Sequence, residues 1–111
     1  MLGRPYRLTR GSDYRMVVRR GRRYGGPRVV TSVLSHDEDR VPRFGFIVSK
    51  QVGNAVIRNT VRRRLKAVCA QFSSTLPAGT DVVIRALPSS ADASFTELLD
   101  DVQRALVRST R

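Results

Sequence analysis

Five basic side chains lie between Arg58 and Lys66, and no acidic residue lies within four positions of any of them. If this stretch is helical, Arg58, Arg62 and Lys66 recur every fourth residue, and Asn59 and Arg63 fall on the same arc. Like charges at this spacing repel one another, and guanidinium groups form strong forked hydrogen bonds with phosphate. We therefore interpret this face as a surface that binds an RNA backbone, in preference to a merely solvated charged face.

The residues just before this helix extend the predicted site. Lys50 is followed by Gly53, which lets the chain turn, and by Asn54, which is a favoured N-cap residue. Backbone N–H groups at the start of a helix bind phosphate, and a neighbouring lysine adds positive charge. The sequence thus predicts a phosphate site where the chain enters the helix.

The opposite side of the same helix is apolar. Its stripe recurs at spacings of 4, 4, 3 and 4, and Arg64 lies on the flank away from the basic arc. The stripe consists of Ile57, Val61, Leu65, Val68 and Phe72. We expect a helix from about residue 54 to 72 that buries this stripe against a sheet.

Residues for catalysis or metal binding are not grouped in the sequence. His36 is the only histidine, and it lies beside Asp37, Glu38 and Asp39 in a stretch typical of a solvated hairpin tip. Three adjacent acids could hold Mg²⁺ in principle, but a polar turn is the simpler interpretation. Cys69 is the only cysteine, so no intrachain disulfide can form and we expect this residue to pack in the core. We predict no catalytic and no metal-binding residue.

The composition favours a polyanionic partner. Lys and Arg total 21 against 9 Asp and Glu, which gives a formal charge of +12. Residues 1–30 hold nine arginines and one acid, Asp13. The N-terminal arm and the central helix are therefore predicted to form one basic surface.

The length of 111 residues predicts a single domain, with residues 1–11 as a basic, irregular arm that a partner would order. No apolar run approaches the roughly 20 residues of a membrane span. No secretory apolar segment follows the early positive charges. We expect a cytoplasmic protein.

Two helices flank the central part of the chain. Tyr14, Val17 and Val18 share one helical face, and we expect Ser12 to be the N-cap of this first helix. A final helix begins at Ser94, which forms a capping-box pattern with Glu97. Its apolar stripe consists of Phe95, Leu98, Leu99, Val102 and Leu106.

The strands complete an α/β fold, an α+β two-layer sandwich with a small mixed sheet. Residues 29–34 and 43–49 are predicted to form an antiparallel hairpin, with Phe44, Phe46 and Val48 toward the core. Residues 81–87 contain three successive branched apolar side chains, which is typical of a strand covered on both faces.

The combined pattern resembles a known family. The segment GFIVSKQVGNAVIRNTVRRRLK is similar to the signature of the bacterial ribonuclease P protein subunit, in which a G-F/L-x-V-S-K run leads through G-N-A-V into an R-N-R-x-K-R helix. The opening RLTRGSDYRMVVRRG resembles the family's R-L-x-x-x-x-D-F-x-x-V-F-x-x-G. Both blocks keep the family's spacing, and the element order fits nearly the whole chain.

The resemblance implies a fold, a partner and a reaction. The fold would be αβββαβα with a left-handed βαβ crossover, against the usual hand. The protein would assemble with a large catalytic RNA into a ribonucleoprotein endonuclease, a hydrolase that removes the 5′ leader of precursor tRNA. Catalysis would reside mainly in the RNA, with Mg²⁺ held mainly by RNA and substrate.

The resemblance also assigns residues. The RNA-binding motif of the family corresponds to Lys50, Asn54, Arg58, Asn59, Arg62, Arg63 and Lys66. The cleft for the single-stranded leader corresponds to Tyr14, Val18, Val30 and Ser32.

The chain departs from the family pattern at three positions. Thr60 stands where the third residue of R-N-R is usually arginine, and nearby Arg64 is expected to replace that contact. Val18 and Ser32 stand where aromatic residues are common, which leaves Tyr14 as the clearest residue to stack on a base.

Two other classes of protein remain open: a non-catalytic RNA-binding or ribosome-associated protein of similar fold, and an autonomous nuclease.

Overall fold

Three α-helices and four strands follow one another in the order α, β, β, β, α, β, α. In this computed structural model, which describes residues 2–110, the order confirms the predicted fold class. The elements are α1 Gly11–Arg20, β1 Arg22–Gly25, β2 Val29–Ser35, β3 Arg43–Ile47, α2 Ala55–Ala70, β4 Thr80–Ala86 and α3 Phe95–Ser109. Short 3-10 turns lie at Arg4–Tyr6 and Pro88–Asp92.

The strand order in the sheet is β1-β2-β4-β3. β1 and β4 each pair antiparallel with β2, whereas β3 runs parallel to β4. The predicted hairpin between residues 29–34 and 43–49 was therefore wrong, because β4 lies between those strands. Val82, Val83 and Ile84 are at most 1% exposed, and only a central strand can bury side chains on both faces. The parallel β3-α2-β4 unit is the predicted crossover, and its left hand stays a prediction.

One face of the sheet packs against α2 and α3. Val61, Leu65 and Val68 of the predicted stripe are fully buried in this core, and Phe44 joins them from β3. The helix ends at Ala70, earlier than expected. Ile57 is 37% exposed and Phe72 only half-buried, so the stripe is confirmed in its centre and not at its ends.

The other face of the sheet is covered in part by α1. Val17 is fully buried there, in contact with Leu8 and Val83. The prediction that Ser12 is the N-cap was wrong: the helix begins at Gly11, and Arg10 is the N-cap without a side-chain hydrogen bond. The first turn therefore has no side-chain cap, and the Asp13 and Tyr14 N–H groups donate to the Arg10 carbonyl.

The N-terminal arm is more regular than predicted. The Leu8 N–H donates to the Phe44 carbonyl at 2.9 Å, and Arg7 forms a parallel bridge with Phe44. Leu2 and Leu8 are both buried. These contacts place the arm beside β3, and through β3 beside the central helix.

Two local predictions are confirmed. Ser94 and Glu97 form the complete capping box at the start of α3. Cys69 is fully buried, and burial raises the pKa of its thiol. A protonated thiol in an apolar core is a packing group.

A buried carboxylate ties the loop before β3 to the sheet, which the sequence did not indicate. Asp81 on β4 accepts hydrogen bonds from Arg43 at 2.9 and 3.0 Å and from Arg40 at 3.0 and 3.2 Å. His36 Nε2 lies 3.1 Å from the same carboxylate. Burial alone would raise the pKa of Asp81, but the hydrogen bonds and charges of Arg43 and Arg40 outweigh burial and lower it.

Candidate nucleic-acid interface

A basic cavity of about 700 Å³ lies where the arm meets α2. Arg4 and Arg7 line it from the arm, and Arg62 and Lys66 line it from the helix. We call it the anion cavity. The two segments that carry most of the charge in the sequence thus meet in one site.

Four positive charges in the anion cavity have no acidic counterpart. Its remaining lining consists of Leu8, Thr9, Tyr14, Phe44 and Phe46. Within residues 2–110, none of its four basic side chains forms an ion pair. Such a site repels cations and attracts phosphate.

Tyr14 forms one wall of the anion cavity and is held in place. Its hydroxyl accepts a hydrogen bond from the Phe46 N–H at 3.2 Å and donates one to the Leu8 carbonyl at 3.4 Å. Its ring lies on Gly45, where an added Cβ would come within 2.6 Å of the ring carbons. Tyr14 therefore joins α1, β3 and the arm.

The remaining residues of the predicted RNA-binding motif differ in their surroundings. Arg63 is exposed, and Asn59 Oδ1 accepts a hydrogen bond from Arg62 Nη1 at 3.1 Å. Arg58 is half-buried, and its Nε is buried without a hydrogen-bond partner. The prediction that Arg58 lies opposite the stripe was too simple, because Val61, three residues later, is fully buried on the same side.

The entry to α2 has the predicted geometry. Asn54 is the N-cap, and its Oδ1 accepts a hydrogen bond from the Ile57 N–H at 3.0 Å. Lys50 is exposed in the turn before it. Lys50 also borders a cavity that includes Ile47 and Arg85.

The expectation that Arg64 replaces the contact missing at Thr60 stays a prediction. Arg64 Nη1 donates a hydrogen bond to the Ala93 carbonyl at 2.8 Å, which ties α2 to the turn before α3. Thr60 Oγ1 donates to the Val56 carbonyl within its own helix at 3.0 Å. In the protein alone, the Arg64 side chain is thus engaged in a contact between two elements.

The four predicted leader-cleft residues do not form one cavity. Val30 and Ser32 lie on the face of β2 that α1 partly covers, and Val18 of α1 is 46% exposed. Ser32 is only 5% exposed, so it offers little surface. Tyr14 lines the anion cavity instead, with α2 and the arm.

Arg85 is a candidate binding residue that the sequence reasoning missed. In the strand register it lies between Val30 on β2 and Ile47 on β3, and it is exposed. Val30, Arg85, Ile47 and Lys50 thus follow one another toward the entry of α2, and we call them the sheet strip. A charged residue on a buried central strand is either paired with an opposite charge, as Asp81 is, or faces an open part of the sheet. That was the signal available in the sequence.

A metal ion has no ligand set in the part of the chain that the structure describes. No group of three His, Cys, Asp or Glu side chains there could hold one. Over the same residues, no helix is long and apolar enough to cross a membrane.

The fold and the site define a class: a small α/β protein with an unpaired basic surface shaped by an N-terminal arm and one helix, as expected of a nucleic-acid-binding protein. The family model described as Ribonuclease P matches residues 2–110. This chain therefore belongs to the ribonuclease P protein family.

Curated relatives agree with this assignment, and solved structures share the fold. The chain is 49% identical to the ribonuclease P protein component of Clavibacter michiganensis, over 100% of this chain and 98% of that protein. It is 46% identical to the one from Acidothermus cellulolyticus, over 100% and 93%. The fold matches the RNase P protein of Staphylococcus aureus with a TM-score of 0.81 at 20% identity, covering 96% of this chain and 95% of that one. The Thermotoga maritima protein matches with a TM-score of 0.79 at 20% identity, covering 92% and 96%.

Proposed function

We propose that this chain is the protein subunit of ribonuclease P, and that it binds the catalytic RNA and the 5′ leader of precursor tRNA. The observation that carries the proposal is the anion cavity, in which two separate segments bring four basic side chains together without an acid. Family membership supplies the reaction, the endonucleolytic hydrolysis that gives the mature tRNA 5′ end.

The anion cavity and the exposed side of α2 bind the catalytic RNA. Arg62 and Lys66 lie one turn apart, so they contact successive phosphates, while Arg4 and Arg7 approach from the other wall. Asn59 holds the Arg62 guanidinium by a hydrogen bond, which lowers the entropy lost when that group binds phosphate.

The sheet strip binds the leader. Val30 and Ile47 offer apolar surface, and Arg85 and Lys50 offer positive charge to a single strand. Tyr14 supports this surface by fixing α1 on β3. Because the sheet strip contains no aromatic side chain, leader binding depends more on charge and shape than on stacking.

The chemical step belongs to the RNA in this proposal. Mg²⁺ is held by RNA and substrate, and no step is assigned to a metal on the protein. The partners are the catalytic RNA and precursor tRNA, and the location is the cytoplasm. The contribution of the chain is to neutralise phosphate charge and to hold the leader beside the RNA.

Reconstitution tests the proposal. The full chain is combined with a bacterial ribonuclease P RNA and a 5′-labelled precursor tRNA at low Mg²⁺. We expect cleavage at the mature 5′ end, faster than with RNA alone. Oligoarginine of the same net charge serves as the control and should not reproduce the effect.

Two outcomes would contradict it. Absence of stimulation would favour a non-catalytic RNA-binding protein of similar fold. Cleavage by the chain without RNA would favour an autonomous nuclease.

A further inference from the structure

A second basic surface lies at the β1 edge of the sheet, where the helix ends of α1 and α3 meet the strand. Two cavities, of about 560 and 390 Å³, share Tyr24 in their lining. The larger includes Arg104 and Arg108 of α3, and the smaller includes Arg20 and Arg22. We call these four arginines and Tyr24 the edge groove.

The charges of the edge groove are not neutralised. Arg20, Arg22, Arg104 and Arg108 are exposed, and none forms an ion pair within residues 2–110. Two acids also line the larger cavity, but Asp101 is bound to Arg28 at 2.8 Å, which leaves Asp100 as the only acid free of an ion pair there. Folding therefore brings arginines from near the two ends of the sequence together in the edge groove.

Tyr24 gives the edge groove a flat, fixed feature. The Arg108 guanidinium lies over its ring, 5.4 Å from the centroid. The ring itself packs against the main core, so it is anchored from below. A guanidinium held over an aromatic ring by a cation–π contact keeps its other side available for a further planar group, such as an RNA base.

The edge groove is separate from the anion cavity. β1 and β3 are the two outer strands of the sheet, with β2 and β4 between them. At a strand spacing of about 4.8 Å, one ligand phosphate cannot reach both sites. No residue that lines either cavity of the edge groove also lines the anion cavity.

We propose that the edge groove is a second RNA-binding site, which takes a single-stranded RNA segment through phosphate contacts and one stacked base. The arginines bind the backbone, and a base stacks on the Arg108 guanidinium that Tyr24 positions. Single-stranded RNA fits better than a duplex, because only an unpaired base can leave its stack to cover that plane. The chain would then contact RNA at two opposite edges of its sheet.

The test measures binding of a labelled 12-nucleotide uridylate oligomer to the full chain at several salt concentrations. In R104Q/R108Q we expect weaker binding and a salt slope smaller by about 1.4, since each contact with a single strand contributes about 0.7. R15Q/R19Q removes the same charge from exposed positions of α1 outside both sites, and its slope should stay within about 0.3 of the wild-type value. A control slope that falls as far as the edge variant would overturn the proposal, because net charge alone would then explain both.

Two variants of Tyr24 test whether its aromatic ring is needed for RNA binding. Tyr24→Phe keeps the ring and should bind the oligomer as the wild type does, whereas Tyr24→Leu should bind it at least about fivefold more weakly. Thermal unfolding of both variants distinguishes a lost contact from a lost fold. Equal binding by Phe and Leu variants would show that no stacked guanidinium is involved.

Two further outcomes would reject the edge groove without touching the function proposed above. Oligomer binding unchanged in R104Q/R108Q, but reduced in R62Q/K66Q, would leave the anion cavity as the site for RNA. The wild type and R104Q/R108Q are also compared by analytical ultracentrifugation. If only the wild type self-associates and both bind RNA equally, the groove binds a second copy of the chain.

Discussion

Asp81 shows how a single side chain decides local structure that the sequence does not reveal. Its side chain is only 1% exposed, yet it is charged and bound to two arginines that lie about 40 positions earlier in the chain. Sequence patterns report neighbours three or four residues apart, so this cluster could not be predicted. The same limit applies to Arg64, whose partner Ala93 lies 29 residues away.

Replacement of Asp81 by Asn should destabilise the fold and change its response to acid. Loss of one partner from a buried ion pair costs roughly 3–5 kcal/mol, somewhat less when an amide keeps some hydrogen bonds. The pKa of Asp81 is lowered on folding, so its contribution is present above the ordinary value near 3.8 and is lost as pH falls through the folded pKa. Urea unfolding at pH 7 and pH 3 measures both effects.

Asp37→Asn is the matched control for this prediction, because Asp37 is exposed in the neighbouring turn. The free energy of unfolding should drop at pH 7 in the Asp81 variant only, and the difference between the two variants should shrink as the pH falls below 3.8. A similar loss in both variants at pH 7 would contradict the assigned role of Asp81.

At the scale of elements, local signals predicted helices better than the sheet. The α2 stripe and the Ser94 capping box depend on residues close in sequence, so spacing was enough. Strand order depends on which strand buries the most apolar surface in a central position. We expected β2 and β3 to pair because they are close in sequence, but β4 lies between them. Arg85 was missed for the same reason, since its exposure follows from the part of the sheet that α1 leaves open.

The contact between α1 and β3 should fail when Gly45 acquires a side chain. An added Cβ would lie 2.6 Å from the Tyr14 ring, and overpacking of this kind costs about 1–3 kcal/mol. Gly25→Ala is the control, because nothing lies within 4 Å of a Cβ there. Chemical denaturation should show a loss for Gly45→Ala only, and equal stability of the two variants would refute the close contact.

The sheet strip predicts a selective effect of Arg85→Gln. Precursor tRNA should bind the reconstituted enzyme more weakly, with a salt slope reduced by about 0.7, while binding of mature tRNA, which lacks the leader, should be unchanged. Filter binding of both RNAs at several salt concentrations measures this. If both RNAs weaken equally, Arg85 does not contact the leader.

At the scale of the whole molecule, folding gathers like charges that oppose it. Eight of the 21 basic residues line the anion cavity and the edge groove, and unpaired charges repel one another. Contacts such as Asp81 with its arginines offset only part of this repulsion. An anion that binds in either site should therefore increase the free energy of unfolding of the domain.

A sulfate titration should accordingly raise the melting temperature. The increase should saturate with sulfate and should be smaller in R62Q/K66Q, because this variant lacks two of the four charges of the anion cavity. Circular dichroism during heating measures it, with sodium chloride at equal ionic strength as the control. A rise that is the same in both salts and both proteins would argue against a specific anion site.

The central claim is that the arm and α2 recruit the catalytic RNA, which then performs the cleavage. The most direct measurement is the rate of leader removal at low Mg²⁺, as a function of protein concentration, for the wild type and R62Q/K66Q. We expect the variant to need at least about fivefold more protein for half-maximal stimulation and to reach the same maximal rate, because it loses binding and no catalytic group. Identical concentration dependence in the two proteins, or no stimulation by the wild type, would contradict the account.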